Sequence, residues 1–219
     1  MAYMQLQDYA SAEKDLYAAI KQSRKSYAVY RTLYSALEAQ SKDDEAKQVL
    51  NDALQLSGSS GEDYYNRGMI YVDLQDYTNA ADMLNKSYDK GYKAALLGLG
   101  ELSYTQQDYD TALTYYGKYF DEVDISSVDA SLAAKAYNQY AAVLLAKGEY
   151  EKAAQACESG LTYNDRESDA ALSFNLIVSY EHLEQWEDAY NTAKTYVSKY
   201  PEDTKGQKEY QFLESRVTQ

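Results

Sequence analysis

The sequence has one cysteine, one histidine and one proline among its 219 residues. A single histidine, His182, excludes a metal site built from several histidines, and any Ser–His or Cys–His catalytic device would depend on it alone. No P-loop, G-x-G-x-x-G or paired-cysteine motif is present. We therefore expect no enzyme activity, no cofactor and no metal. His182 is expected to be an ordinary solvated side chain. Cys157 is expected to be a buried thiol, which gives no information on the cellular compartment of the protein.

Basic residues are also scarce, since 21 lysines and arginines face 35 aspartates and glutamates and give a formal net charge of −14. Nucleic-acid backbones and anionic membrane surfaces both require a basic face. No apolar run is long enough to span a bilayer, and Met1 is not followed by a signal-peptide pattern. We expect neither a nucleic-acid partner nor membrane insertion by this segment.

What the sequence does contain is a recurring aromatic residue followed three positions later by alanine. The pairs are Tyr9 and Ala12, Tyr77 and Ala80, Tyr109 and Ala112, Tyr150 and Ala153, and Trp186 and Ala189, with Asp43 and Ala46 as a variant copy without the ring. The alanines are 34, 34, 32, 41 and 36 residues apart. A recurrence near 34 residues is typical of helix–turn–helix repeats.

The residues around each pair keep helical spacing. In the third copy one stripe contains Tyr64, Gly68 and Tyr71, and a second helix begins near Tyr77. Each copy is therefore predicted to be a helical hairpin. Small residues recur where its two helices would cross, at Gly68, Gly100 and Ala141, and Gly98-Leu99-Gly100 indicates close packing inside a helix.

These residues resemble the pattern of the tetratricopeptide repeat family. The third copy carries it most fully, in Tyr64, Asn66, Gly68, Tyr71, Tyr77, Ala80 and Leu84. The fourth has Leu99-Gly100, Tyr109, Ala112 and Tyr116, and the sixth has Asn175-Leu176, Tyr180, Trp186, Ala189 and Pro201. The resemblance implies an all-α fold, a right-handed α-solenoid of helical hairpins with a C-terminal capping helix, and its repeat style suggests a bacterial source.

We expect one solenoid domain over residues 1–219. Its repeats are predicted at 1–25, 27–60, 61–92, 93–128, 129–165 and 167–201, with the capping helix at 203–217. The first repeat lacks most of its first helix, from which we expect that the chain is cut from a longer protein. The capping helix would place Leu213 on its apolar face and Lys205, Lys208, Glu209 and Arg216 on the other.

Two joints between repeats depart from the regular period. The run Ser57-Gly58-Ser59-Ser60-Gly61 is predicted to be the most flexible connection. The insertion from Asp121 to Asp129 is acidic, but it lacks the glycine and terminal glutamate of an EF-hand loop. We expect it to extend one helix and to cap the next through Ser127 or Asp129.

By the same resemblance, the first helix of each hairpin lines a concave groove. The predicted partner-binding positions are Arg31, Tyr65, Met69, Asp73, Leu97, Glu101, Tyr104, Asn138, Phe174 and Glu181. The cationic and amide residues with which some family members clamp a peptide carboxylate are absent, since Glu62, Met69 and Ala94 occupy those positions. The groove suits a protein or peptide with apolar anchors and a basic residue.

The function that these observations favour is a non-catalytic protein–protein interaction scaffold. Two alternatives depend on sequence upstream of residue 1. A lipid-anchored module on the cell surface would bind a secreted peptide or glycan, and an accessory domain would serve a larger enzyme. The same upstream sequence decides between a cytoplasmic and an extracytoplasmic location.

Overall fold

The computed structural model describes residues 8–22 and 26–217, which form twelve α-helices, one short 3₁₀-helix and no β-strand. The helices are α1 (Tyr9–Gln22), α2 (Tyr27–Glu38), α3 (Asp43–Leu54), α4 (Gly61–Asp73), α5 (Tyr77–Asp89), α6 (Ala95–Thr105), α7 (Tyr109–Glu122), α8 (Ala130–Lys147), α9 (Tyr150–Leu161), α10 (Arg166–His182), α11 (Trp186–Lys199) and α12 (Thr204–Val217). The all-α prediction is confirmed. Within the described ranges, no helix is both long and apolar enough to cross a bilayer.

The chain divides into two compact units, Met1–Leu102 and Ser103–Gln219, which are described separately. Their boundary falls within α6. Each predicted repeat from residue 27 to residue 201 corresponds to a pair of helices, from α2 and α3 to α10 and α11. The grouping of all repeats into one domain stays a prediction.

The two helices of each hairpin are joined by a short turn with one residue in the left-handed region. These residues are Ser41, Gln75, Gln107, Gly148 and Glu184, with φ of 58°, 61°, 62°, 75° and 57°. In each turn the next N–H donates to a carbonyl five residues earlier, as from Asp76 to Tyr71 at 2.8 Å and from Asp108 to Ser103 at 2.9 Å. This is the Schellman termination of a helix, which usually employs glycine.

Side-chain caps fix several helix starts. Ser60 and Asp63 form a capping box at α4, in which the Asp63 N–H donates to Ser60 Oγ at 3.1 Å and the Ser60 N–H donates to Asp63 Oδ2 at 3.0 Å. Arg67 also donates to the carbonyls of Leu56 and Gly58, at 2.8 Å each. The Ser57–Gly61 joint is thus tied to α4, and its flexibility stays a prediction.

The insertion after α7 contains the 3₁₀-helix Ile125–Ser127, and Asp129 caps α8 by accepting from the Leu132 N–H at 2.9 Å. Of the two caps that the sequence allowed, Asp129 is therefore the one used. The cap satisfies one of the amides left unpaired at a helix start.

The repeating alanines lie in the core. Ala12, Ala46, Ala80, Ala112, Ala153 and Ala189 are each at most 3% exposed. Gly68 is buried too, and a Cβ there would lie 2.6 Å from Leu84 Cγ, so α4 and α5 approach too closely for a larger residue. Burial of small residues at helix crossings is what the sequence pattern predicted.

The first described helix packs on the next hairpin. Leu16 and Ile20 of α1 are partly buried against Leu33, Leu37 and Val49 of α2 and α3. The incomplete helix that the sequence places before Tyr9 falls outside the described residues.

The capping helix α12 packs on α11, with Leu213 fully buried. Three of its charged side chains contact other helices. Lys205 Nζ lies 4.2 Å from the centre of the Phe174 ring, the guanidinium of Arg216 lies 4.8 Å from that of Trp186, and Glu209 contacts Glu181. Because long charged side chains can cover apolar surface with their stems, a charged face of a helix can also pack against neighbouring helices.

Candidate functional site

A two-point ion pair on the first helices of the N-terminal unit joins Arg31 of α2 to Asp73 of α4. Arg31 Nε donates to Asp73 Oδ2 at 2.8 Å and Nη2 donates to Oδ1 at 3.3 Å. This two-point geometry suits the planar guanidinium and fixes both side chains. The side chains remain 33% and 18% exposed, so the pair lies at the surface of the hairpins and not in their core.

Two more of the predicted positions surround this pair. Burial opposes the charge of Arg31, but the hydrogen bond and charge of Asp73, with smaller effects of Glu101 and Tyr65, outweigh it and raise the pKa of Arg31. The Tyr65 ring is half-buried, and its centre lies 5.4 Å from that of Tyr92. The structure thus brings Arg31, Tyr65, Asp73 and Glu101 together on α2, α4 and α6 as one mixed aromatic and charged patch.

Two predicted groove residues of this unit are not exposed. Met69 is 0% exposed and Leu97 is 2% exposed, so the expectation that they line an open groove was wrong. The reason is the close approach of α6 to α4 at Gly98. A Cβ on Gly98 would lie 2.7 Å from Leu84 Cδ2, 3.1 Å from Met69 Sδ and 3.2 Å from Tyr65 Cε2.

In the C-terminal unit, Tyr104 and Asn138 have different surroundings. Tyr104 is 39% exposed, with its ring centre 5.7 Å from that of Tyr109. Asn138 Oδ1 accepts a hydrogen bond from Asn175 Nδ2 at 3.0 Å, which links the first helices α8 and α10. Tyr104 is therefore an open aromatic side chain, whereas Asn138 is engaged within the fold.

The last two predicted positions, Phe174 and Glu181 of α10, lie against α12. Lys205 covers the Phe174 ring, and burial together with a hydrogen bond to the Glu209 carboxyl raises the pKa of Glu181 to about 7. Neither residue is the open groove position that the sequence suggested. The sequence signal for this contact was the spacing of Lys205 and Glu209, which are four residues apart and therefore lie on one face of α12.

The candidates for chemistry behave as packing or surface residues. His182 is exposed and stacks on Tyr150, with ring centres 4.1 Å apart and planes 2° from parallel. Cys157 is fully buried, which raises the pKa of its thiol to about 12. Among the described residues, no cluster of three or more His, Cys, Asp or Glu side chains is placed to hold a metal ion.

Known structures share this fold at low sequence identity. A chain of the APC/C hetero-tetramer Cut9–Hcn1 superposes with a TM-score of 0.67 at 15% identity, over 96% of this chain and 40% of that chain. A tetratricopeptide repeat protein from Parabacteroides merdae gives 0.67 at 18% identity, over 96% of this chain and 80% of its own. YrrB, a tetratricopeptide protein with an unusual peptide-binding site, gives a TM-score of 0.53 at 21% identity, over 87% of this chain and 94% of its own.

At the level of sequence, no curated protein matches the chain. The profile of the tetratricopeptide repeat matches residues 1–61 and 65–123, which is more than half of the chain. The match includes the buried alanines Ala12, Ala46, Ala80 and Ala112 and the hairpins that they hold together. The chain therefore belongs to the tetratricopeptide repeat family.

Proposed function

We propose that this chain is a non-catalytic scaffold that binds a segment of another protein across the first helices of its N-terminal unit. The observation that carries the proposal is the two-point pair of Arg31 and Asp73 beside Tyr65 and Glu101. Family membership supports a binding role. Cut9 is described in a hetero-tetramer with Hcn1, and YrrB is described with a peptide-binding site.

The patch has the two components that a protein-binding surface needs. Tyr65 offers part of an aromatic ring whose orientation is held by Tyr92, so that little side-chain entropy is lost on binding. Asp73 and Glu101 supply negative charge next to it, and Arg31 forms its ion pair with Asp73. We infer that the partner segment presents an apolar anchor to Tyr65 and a basic residue to the acidic side, in keeping with the net charge of −14.

The experiment is to select short random peptides displayed on phage against the purified chain, and to measure the affinity of the enriched peptides by calorimetry. Tyr65→Ala is expected to weaken binding by about 1–3 kcal/mol, while Tyr65→Phe keeps the ring and most of the affinity. Tyr17→Ala is the matched control, because Tyr17 is 42% exposed on α1 and is not part of the patch. Enriched peptides that bind equally to wild type and to Tyr65→Ala would overturn the proposal.

A further inference from the structure

A second surface, on the second helices of the C-terminal unit, has the features of a binding site. A cavity of about 600 Å³ opens between α7, α8 and α9. Cavities of about 300–1,000 Å³ are typical of sites that take a ligand or a single anchor side chain. None of the groove positions predicted from the sequence lines it.

The wall of this cavity is aromatic. Phe120 of α7 and Tyr137 and Tyr140 of α8 line it, and the Phe120 ring centre lies 4.9 Å from that of Tyr137 and 5.5 Å from that of Tyr140. The three rings hold one another in place, since each contact lies in the favourable range for aromatic pairs. A rigid aromatic wall suits a flat apolar or aromatic guest.

The floor is kept open by a glycine that the backbone does not require. Gly117 lies inside α7, one turn before Phe120, and a Cβ built on it would meet nothing within 4 Å. Glycine weakens the interior of a helix, and most interior glycines of this chain are explained by close packing, as Gly68 and Gly98 are. At Gly117 the missing side chain leaves cavity space instead.

The irregular joint between repeats forms another side of the cavity. Ile125, in the 3₁₀-helix of the insertion, lines it. The insertion is also the reason why Ala112 and Ala153 are 41 residues apart, where the regular spacing is near 34. The cavity therefore coincides with the place where the chain departs most from its own period.

The charges at the rim favour a basic neighbour. Lys152 also lines the cavity and is paired with Glu149 at 2.6 Å, and the neighbouring Lys118 is paired with Glu122 at 3.7 Å. Asp121 lines the cavity and is exposed, and within the part of the chain that the structure describes no lysine or arginine forms an ion pair with it. A guest with a positive charge beside its apolar group would compensate this carboxylate.

We propose that this cavity is a docking site for a partner protein that inserts an aromatic side chain between Gly117 and the three rings and places an adjacent lysine or arginine against Asp121. The site differs from the patch at Arg31, because it lies in the other unit and is built mainly on second helices. On α8, Tyr137 and Tyr140 lie about 100° and about 160° around the helix from Asn138, given about 100° per residue in an α-helix.

The test uses the full chain and the same displayed random peptides. Enriched peptides are expected to carry an aromatic residue next to Lys or Arg. Gly117→Leu, which fills the cavity, is expected to lower the affinity for these peptides at least about tenfold. Asp121→Asn is expected to lower the affinity a few-fold and to remove its dependence on salt concentration. Thr114→Leu, exposed on the same helix and outside the cavity, is the matched control and leaves affinity unchanged.

Thermal unfolding of Gly117→Leu verifies that the variant folds, since the new side chain enters open space. If a folded Gly117→Leu variant binds every enriched peptide as wild type does, or if Thr114→Leu weakens them equally, the docking site is rejected. Peptides that lose affinity only in Tyr65→Ala would reject this site and leave the proposed function standing. Peptides that lose affinity only in Gly117→Leu would support this site and reject the proposed function at Tyr65.

Discussion

Arg31 and Asp73 lie 42 residues apart in the sequence and form a two-point ion pair between the first helices of neighbouring hairpins. The pair is the part of the N-terminal patch for which the structure gives the most definite geometry. It also makes the patch testable by stability measurements that need no partner.

Asp73→Asn is expected to destabilise the chain by about 1–2 kcal/mol, because it leaves the partly buried Arg31 guanidinium without its carboxylate. The control is Asp82→Asn, whose ion pair with Lys86 is about half exposed on both sides. That variant is expected to change the free energy of unfolding by less than about 0.5 kcal/mol. Urea titration followed by circular dichroism measures both, and equal losses would contradict a structural role of the Arg31 pair.

Two helix-interior glycines are predicted to respond to alanine with opposite signs. Gly98→Ala forces a Cβ to within 2.7 Å of Leu84 Cδ2 and is expected to destabilise by about 1–3 kcal/mol. Gly117→Ala meets open space and is expected to stabilise by about 0.5–1 kcal/mol through helix propensity. Denaturant unfolding of the two variants is the measurement, and a destabilised Gly117→Ala would mean that the glycine serves packing after all.

The left-handed turns predict a reciprocal pair of substitutions. Gly148→Ala places a side chain at φ 75° and is expected to destabilise by about 1 kcal/mol. Gln107→Gly relieves the same strain at φ 62° and is expected to stabilise by up to about 1 kcal/mol. Melting temperatures of both variants test this. A fall in stability for Gln107→Gly would show that the Gln107 side chain stabilises the fold by more than the left-handed backbone conformation destabilises it.

The Glu181 carboxyl predicts a pH dependence of stability. Burial and Glu209 raise its pKa in the folded chain to about 7, above the ordinary value of 4.5, so the folded state keeps a proton that the unfolded state has lost. Stability is therefore expected to fall as pH rises from about 4.5 through 7. Glu181→Gln should remove most of this fall when free energies of unfolding are compared at several pH values, with exposed Glu187→Gln as the control. An unchanged pH profile in Glu181→Gln would contradict this assignment.

The core alanines and the hairpins followed from the sequence, because helical spacing and a period near 34 residues are local properties of the chain. The turn residues did not follow, since Gln75 and Gln107 take up a backbone conformation for which glycine would be the expected signal. Every hairpin needs the same termination, and the surrounding helices impose it on whichever residue lies there.

The site was predicted less well, because burial of a first-helix residue depends on its neighbours in space. Met69 faces the direction that the repeat pattern assigns to a groove, yet Gly98 lets α6 close over it. Phe174 and Glu181 likewise lie against the capping helix, at Lys205 and Glu209. Arg31, Tyr65, Asp73 and Glu101 did come together, although their role in binding stays a prediction.

The most direct test of the proposed function is an amide NMR titration of the full chain with the tightest peptide from the display selection. We predict that the largest shift changes cluster on the first helices of the N-terminal unit, at Ser35, Tyr65 and Glu101, and that they disappear in Tyr65→Ala. Shift changes confined to the second helices of that unit, at Gln48 and Lys86, and unaffected by Tyr65→Ala would contradict it.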